Sequence, residues 1–288
     1  MRACELEGAS EADAVDKSQH LPRRRTTTLT EEEIISNLFV FAFAGNDTTA
    51  VSMTNLLVVL SAHPEVQDWI SEEICHYLPD DDMTQWDYRT FPKLKRCLAV
   101  IVRTYISLAT KGSQLTNSQM ESLRLNHPLS QLVKTTGNQS LPVQLGSKTY
   151  TLPPQTNIHL NLSALHTLPQ HWGNDSLRFD PYRFITPSSG AAPAIEEETL
   201  APDTTKTFIP WVHGQRLCPG KKFSQVELVA ALVMLFRDHR VQPELLPGEG
   251  LETARKRMAR MGLDVDHEGT MLVEISDPKG ARLTWVRR

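Results

Sequence analysis

The chain has 288 residues, 40% hydrophobic and 22% charged, with 14 glycines and 18 prolines. That balance suits one large or two ordinary globular domains and excludes compositional disorder and a collagen-like fibre. The net charge of −4 supplies no global cationic field for nucleic acid, and four scattered cysteines (Cys4, Cys75, Cys97, Cys218) exclude a disulfide framework and point to a reducing compartment.

Residues 1–29 form a polar segment containing Arg23-Arg24-Arg25, with no apolar stretch of the kind a secretory signal needs, and are expected to be flexible. The most apolar run, Ile34 to Ala44, is about a third short of a bilayer span, so no transmembrane segment is expected. Residues 30–288 carry the folded body. Thr30-Glu31-Glu32-Glu33 reads as a capping box that opens a long buried helix reaching Leu60, with a polar interruption at Gly45–Thr49. Pro64 starts a second helix to about Tyr77, with Glu72 and Glu73 on its wet side, and a third begins at Leu94. Cys75 and Cys97 fall on apolar helical faces and read as core. Short strands follow around Leu132–Val133, Val143–Leu145, Tyr150–Leu152 and Ile158–Leu160. Residues 169–217 form a proline-rich structured coil, a last helix runs from about Pro219 to Asp238, and the tail near Trp285 reads as a strand. The fold class expected is mainly α with small β-sheets.

Chemistry concentrates in Phe208-Ile209-Pro210-Trp211-Val212-His213-Gly214-Gln215-Arg216-Leu217-Cys218-Pro219-Gly220. It places a cysteine at the mouth of a helix, where backbone amides favour the thiolate that ligates metal. Gly214 and Gly220 let the backbone turn tightly and approach a partner closely. A lone cysteine beside a turn is ordinarily a structural residue; the whole string is more specific.

That string resembles the haem-binding loop of cytochrome P450 monooxygenases. The resemblance implies Cys218 as the axial thiolate of haem iron, Arg216 as a propionate partner and Trp211 as the aromatic over the proximal face. Val212 departs from the small or polar residue commoner there. In the expected order, Ala44-Gly45-Asn46-Asp47-Thr48-Thr49 resembles the oxygen-activation motif, with Gly45 opening room in the helix and Asp47 and Thr48 as an acid–alcohol proton relay. Glu121-Ser122-Leu123-Arg124 resembles the family's Glu-x-x-Arg, whose spacing of three puts both ions on one helical face. Arg183 would complete a structural triad with Glu121 and Arg124. Lys134 stands where the family often has a second propionate-binding cation, and His166 reads as a satisfied structural histidine. Lys221 and Lys222 lie on the face that would meet an electron donor.

Between Ile101 and Met120, residues 102–119 break the resemblance. As a helix, 18 residues would displace Arg124 by about 27 Å, so they must loop out if the triad is to form. Val102-Arg103, Leu115-Thr116 and Gln119 suit the codons of a short fungal intron retained in frame, with a genuine surface loop as the alternative.

The resemblance covers roughly residues 30–288 and only the C-terminal half of the family's fold. It implies haem (iron protoporphyrin IX) as cofactor, a small apolar organic substrate, NADPH-cytochrome P450 reductase as partner, and oxygen insertion by a monooxygenase, with a fungal, secondary-metabolite texture. A catalytically inactive fragment, acting at most as a weak haem-binding or interaction module, is the other reading. The family implies the endoplasmic reticulum membrane; a chain without an anchor would be cytoplasmic.

Overall fold

The computed structural model describes residues 28–80, 82–101, 121–187, 195–201, 207–212, 214–266 and 272–288. They belong to two units, 1–40 and 41–288. Residues 1–27 and 102–120, which include most of the polar lead-in and the inserted stretch, lie outside the described residues.

Helix α1 spans Glu31–Ala62. Its start is the capping box: the Thr30 amide donates to Glu33 Oε2 at 2.8 Å and the Glu33 amide to Thr30 Oγ1 at 3.2 Å. Ile34, Ile35, Leu38 and Phe39 are exposed. The helix does not break at Gly45–Thr49. Thr48 Oγ1 instead donates to the Ala44 carbonyl at 2.7 Å, a back-bond that spends the hydroxyl inside the helix. Because the helix continues through this stretch, α1 is long and apolar enough to cross a bilayer by length and composition. The apolar stretch expected to end at Ala44 therefore continues as helix to Ala62.

In the second unit, α2 (Pro64–Tyr77) buries Val66, Ile70 and Ile74, the spacing of one helical face. The short helix α3 (Lys95–Ile101) is buried from Arg96 onward. Leu94, the residue before it, has no polar side chain to cap it. The fully buried carboxylate of Glu73 does so from α2, accepting from the amides of Arg96 at 2.7 Å and Cys97 at 2.9 Å. Glu73 was expected on the wet side; its capping duty draws it inside, and burial pushes its pKa up to about 7. Arg96 in turn forms two bonds to Glu198, at 2.9 and 2.7 Å. Cys97 is buried as expected, whereas Cys75 is exposed one face away.

Helix α4 (Glu121–Leu125) packs against α3, so the elements flanking 102–120 adjoin one another. Then β1 (Gln131–Thr135), β2 (Leu141–Leu145), β3 (Lys148–Leu152) and β4 (Asn157–Asn161) form two antiparallel pairs, β1 with β4 and β2 with β3. Gly146, at φ +60°, supplies the left-handed conformation of the two-residue turn between β2 and β3. Helices α5 (Leu162–Thr167) and α6 (Pro169–Trp172) lead into the coil, which holds the antiparallel pair β5 (Ile185–Thr186) and β6 (Thr199–Leu200).

Helix α7 (Lys221–Phe236) packs against α2 and α3 through Leu228, Leu232 and Phe236, which join Leu56, Leu60, Ile70 and Leu98 in one core. Each fully buried side chain of this size contributes about 1.5–3 kcal/mol. Strand β7 (His239–Pro243), helix α8 (Leu251–Met261), the pair β8 (Val265–Asp266) with β9 (Glu274–Ile275), and β10 (Leu283–Arg287) complete the chain, β10 pairing antiparallel with β7. Gln67 ties these parts together: its Nε2 donates to the carbonyls of Leu60 (2.6 Å) and Val241 (2.9 Å), while its Oε1 accepts the Val241 amide at 2.9 Å.

Candidate haem-thiolate site

The loop ahead of α7 begins in the core and ends at the surface. Phe208 is buried, Trp211 and Val212 are half-buried, and Leu217 is exposed. Residues 214–216 form a single 3₁₀ turn, closed by the Leu217 amide on the Gly214 carbonyl at 3.1 Å. The Cys218 amide donates to the Trp211 carbonyl at 3.0 Å, so the loop's two arms are held together directly at the sulfur-bearing residue. The Lys221 amide reaches the Cys218 carbonyl at 3.3 Å, which places the half-buried Cys218 at the N-terminus of a 16-residue helix.

Both glycines have identifiable duties. Gly214 sits at φ +83° with nothing within 4 Å of an added Cβ, so its requirement is conformational. Gly220 borders the sulfur: a Cβ there would stand 3.8 Å from Cys218 Sγ. Val212 adopts φ +63°, a left-handed conformation that a β-branched residue resists. The departure noted in the sequence is therefore a point of stored strain. Trp211 is fixed by its Nε1 donating to Ser224 Oγ at 3.3 Å, with Lys221 Nζ 5.8 Å from its ring centroid. Arg216 is exposed, and Lys134 is half-buried on β1.

Behind this loop, Glu121, Arg124 and Arg183 come together. Arg124 grips Glu121 with two bonds, at 2.7 and 2.8 Å, and both side chains are fully buried. Its other donors reach the carbonyls of His166 (3.1 Å), Ser176 (2.5 Å) and Arg178 (3.3 Å), and its guanidinium lies 4.8 Å from the Trp172 ring centroid. Arg183 Nε approaches Glu121 Oε1 at 3.5 Å from a partly exposed position. The Asp180 amide donates to the same carboxylate at 2.9 Å. One buried ion pair thus fastens the coil from 166 to 183.

Asp47 and Thr48 turn to separate partners. Thr48 is bound to its own helix backbone, and exposed Asp47 accepts from Asn46 Nδ2 at 3.0 Å. Gly45 faces open space. His166 is buried as expected but only half satisfied: its Nε2 accepts the Ile209 amide at 3.1 Å, whereas its Nδ1 lacks a well-formed bond. Burial chiefly, with help from His127 and Arg124, holds its pKa down to about 3. His127, which no motif marks, also belongs here, with its Nε2 2.8 Å from the Pro210 carbonyl.

A model of the cytochrome P450 family matches residues 10–109 and 115–258, which include the Cys218 loop, the Glu121–Arg124 pair and the Gly45–Thr49 stretch. The chain belongs to the cytochrome P450 family. A P450 monooxygenase of the phomenoic acid biosynthesis cluster of Leptosphaeria maculans is 32% identical over 266 residues, covering 87% of this chain and 42% of that protein. A P450 of Caenorhabditis elegans (CYP13A7) is 30% identical over 217 residues, covering 73% and 34%. The crystal structure of a P450 (CYP102L1) superposes with a TM-score of 0.62 at 22% identity, over 90% of this chain and 47% of that one, and shows the fold. The chain therefore spans between about a third and two fifths of the length of the curated P450 relatives it matches. P450 proteins bind haem iron, and a half-buried thiol at a helix N-terminus, bordered by a residue without Cβ, is a donor suited to that group.

Proposed function

We propose that this chain holds haem through Cys218 and takes part in P450 monooxygenation of a small apolar organic substrate, with electrons from NADPH-cytochrome P450 reductase. The observation that carries this is the position of Cys218, with its amide bound to the Trp211 carbonyl and its thiol at the start of α7. The bond from the Cys218 amide to the Trp211 carbonyl holds the backbone that bears the sulfur. When bound, haem would supply the redox chemistry, and Cys218 Sγ would be the protein donor that holds it. Arg216 and Lys134 would face the propionates and Trp211 the proximal side, while Gly45 would leave room in α1, and Asp47 and Thr48 would hold and pass protons. Glu121, Arg124 and Arg183 would act at a distance, by fixing the coil that supports the loop. The phomenoic acid relative supports a fungal secondary-metabolite substrate.

A second reading, haem binding without turnover, is favoured by the exposure of Gly45 and Asp47 and by the commitment of Thr48 Oγ1 to Ala44. Proton delivery needs a hydroxyl free to turn and a site closed to water.

The test is spectroscopic. Purified chain is given haemin, reduced and exposed to carbon monoxide. A red-shifted Soret band is expected, and Cys218→Ala is expected to abolish it. Haem uptake with the same spectrum in wild type and C218A would overturn Cys218 as ligand. Substrate oxidation on adding reductase and NADPH separates turnover from binding alone.

A further inference from the structure

We infer that His127 and His166 form a two-histidine clamp on Ile209–Pro210, the segment leading into the Cys218 loop, and that they are positioning residues for the sulfur. The clamp rests on the reading of Cys218 as the iron ligand only for its purpose, not for its geometry.

The two rings come from different elements. His127 follows α4 and His166 lies in α5, yet their centroids are 5.5 Å apart in an edge-on arrangement. Both are buried. His166 Nε2 accepts the Ile209 amide at 3.1 Å. His127 Nε2 lies 2.8 Å from the Pro210 carbonyl, while its Nδ1 lies 2.7 Å from the Leu129 carbonyl and 3.0 Å from the Leu129 amide. A neutral ring has one N–H for these two carbonyls; a proton on Nε2 satisfies both the Pro210 carbonyl and the Leu129 amide, whereas a proton on Nδ1 would satisfy the Leu129 carbonyl alone, so the clamp assigns the proton to Nε2 and Pro210 accepts it. Burial keeps both rings neutral, which preserves this pattern. One histidine therefore accepts from the segment and the other donates to it, at consecutive residues.

Phe208, just upstream, is held between the His166 and Trp172 rings, at centroid distances of 4.8 and 6.0 Å. Just downstream, the Trp211 carbonyl accepts the Cys218 amide. A shift of Pro210 is thus passed to Trp211 and from there to the sulfur-bearing residue. The clamp is itself rooted in the buried ion pair, because Arg124 donates to the His166 carbonyl and His127 stands three residues after Arg124. Neither ring is needed to fill the core with an imidazole in particular; a phenyl group would fill the same space without either bond. A polar ring at both positions is explained by what it does to the backbone of Ile209 and Pro210.

The experiment uses the full chain without haem. Hydrogen exchange is followed across residues 207–220, and alkylation of Cys218 is timed against that of exposed Cys75 in the same molecule. His127→Phe and His166→Phe are expected to speed amide exchange at Ile209 and Cys218 about tenfold, the worth of one hydrogen bond, and to raise Cys218 alkylation several-fold. Gln places its amide near the position of a histidine Nε2, so H127Q and H166Q are expected to restore both. Exchange in the β7–β10 pair should stay unchanged. Unaltered loop exchange, equal acceleration in β7–β10, or failure of both Gln variants to rescue would overturn the clamp. Should a Phe variant not fold, H127N, whose amide reaches Leu129 but not Pro210, gives the same contrast with H127Q. Haemin added to C218A tests the ligand assignment separately, so failure of that reading leaves the loop measurements standing.

Discussion

Removing Arg124 is expected to be far more damaging than removing Arg183, although both face Glu121. Arg124→Ala deletes two bonds to a fully buried carboxylate and strips the donor from the carbonyls of His166, Ser176 and Arg178. Breaking a buried ion pair by removing one member costs about 3–5 kcal/mol, because the other charge is left uncompensated. Each orphaned carbonyl adds roughly 1 kcal/mol or more, with incomplete additivity. Domains are stable by about 5–15 kcal/mol, so R124A should lose a large share of that margin. Arg183 sits 3.5 Å from the carboxylate with its side chain 19% exposed, and R183A should cost about 1 kcal/mol. Urea unfolding of both variants gives the comparison, with limited proteolysis of 166–183 as a local readout. A double variant, E121L with R124L, should recover only part of the loss, since the three carbonyls still lack a donor. Equal costs for R124A and R183A, or full recovery in the double variant, would refute this account.

Three further outcomes follow from particular positions. Val212→Gly removes a β-branched residue from φ +63° and should raise stability by about 1 kcal/mol in thermal or urea unfolding, net of the added chain entropy. Gly262→Ala should destabilise by about 1–3 kcal/mol, since its Cβ would meet Val59 Cγ2 at 2.7 Å and the Met258 carbonyl at 3.4 Å. Between pH 4.5 and about 7 the folded chain binds the Glu73 proton more tightly than the unfolded chain does, so stability should fall as pH rises through that window. The loss from this one group is about 3 kcal/mol, and E73Q should flatten the unfolding free energy over the same interval.

The residues whose placement depends on fixed spacing along the chain are legible in the sequence. Cys218 at the head of a helix, the Glu121–Arg124 pair at i, i+3 and the Thr30–Glu33 box all stand out because neighbours in the chain are neighbours in space. What escaped depends on the backbone or on distant segments. The carbonyls of Ser176 and Arg178 that hold Arg124 carry no residue-type mark. Glu73 looked wet beside Glu72, since two adjacent acids read as a solvated face. Its one clue was that nothing before Lys95 offers α3 a capping side chain. His127, between Asn126 and Pro128, belongs to no motif, and its partner Pro210 lies 83 residues away. Cys75 was expected inside on the strength of its apolar neighbours, and the helix turns it outward.

Gln67 also sets what insertions β7 can accept. Its amide reads both the N–H and the C=O of Val241, so it recognises one residue of β7 and no other. Sliding that strand by a single position would offer Arg240 or Gln242 instead and turn Val241 out of the core. Length changes among close homologues should therefore accumulate in the connection between Glu244 and Arg282, whereas within 239–243 they should come in steps of two residues or be absent.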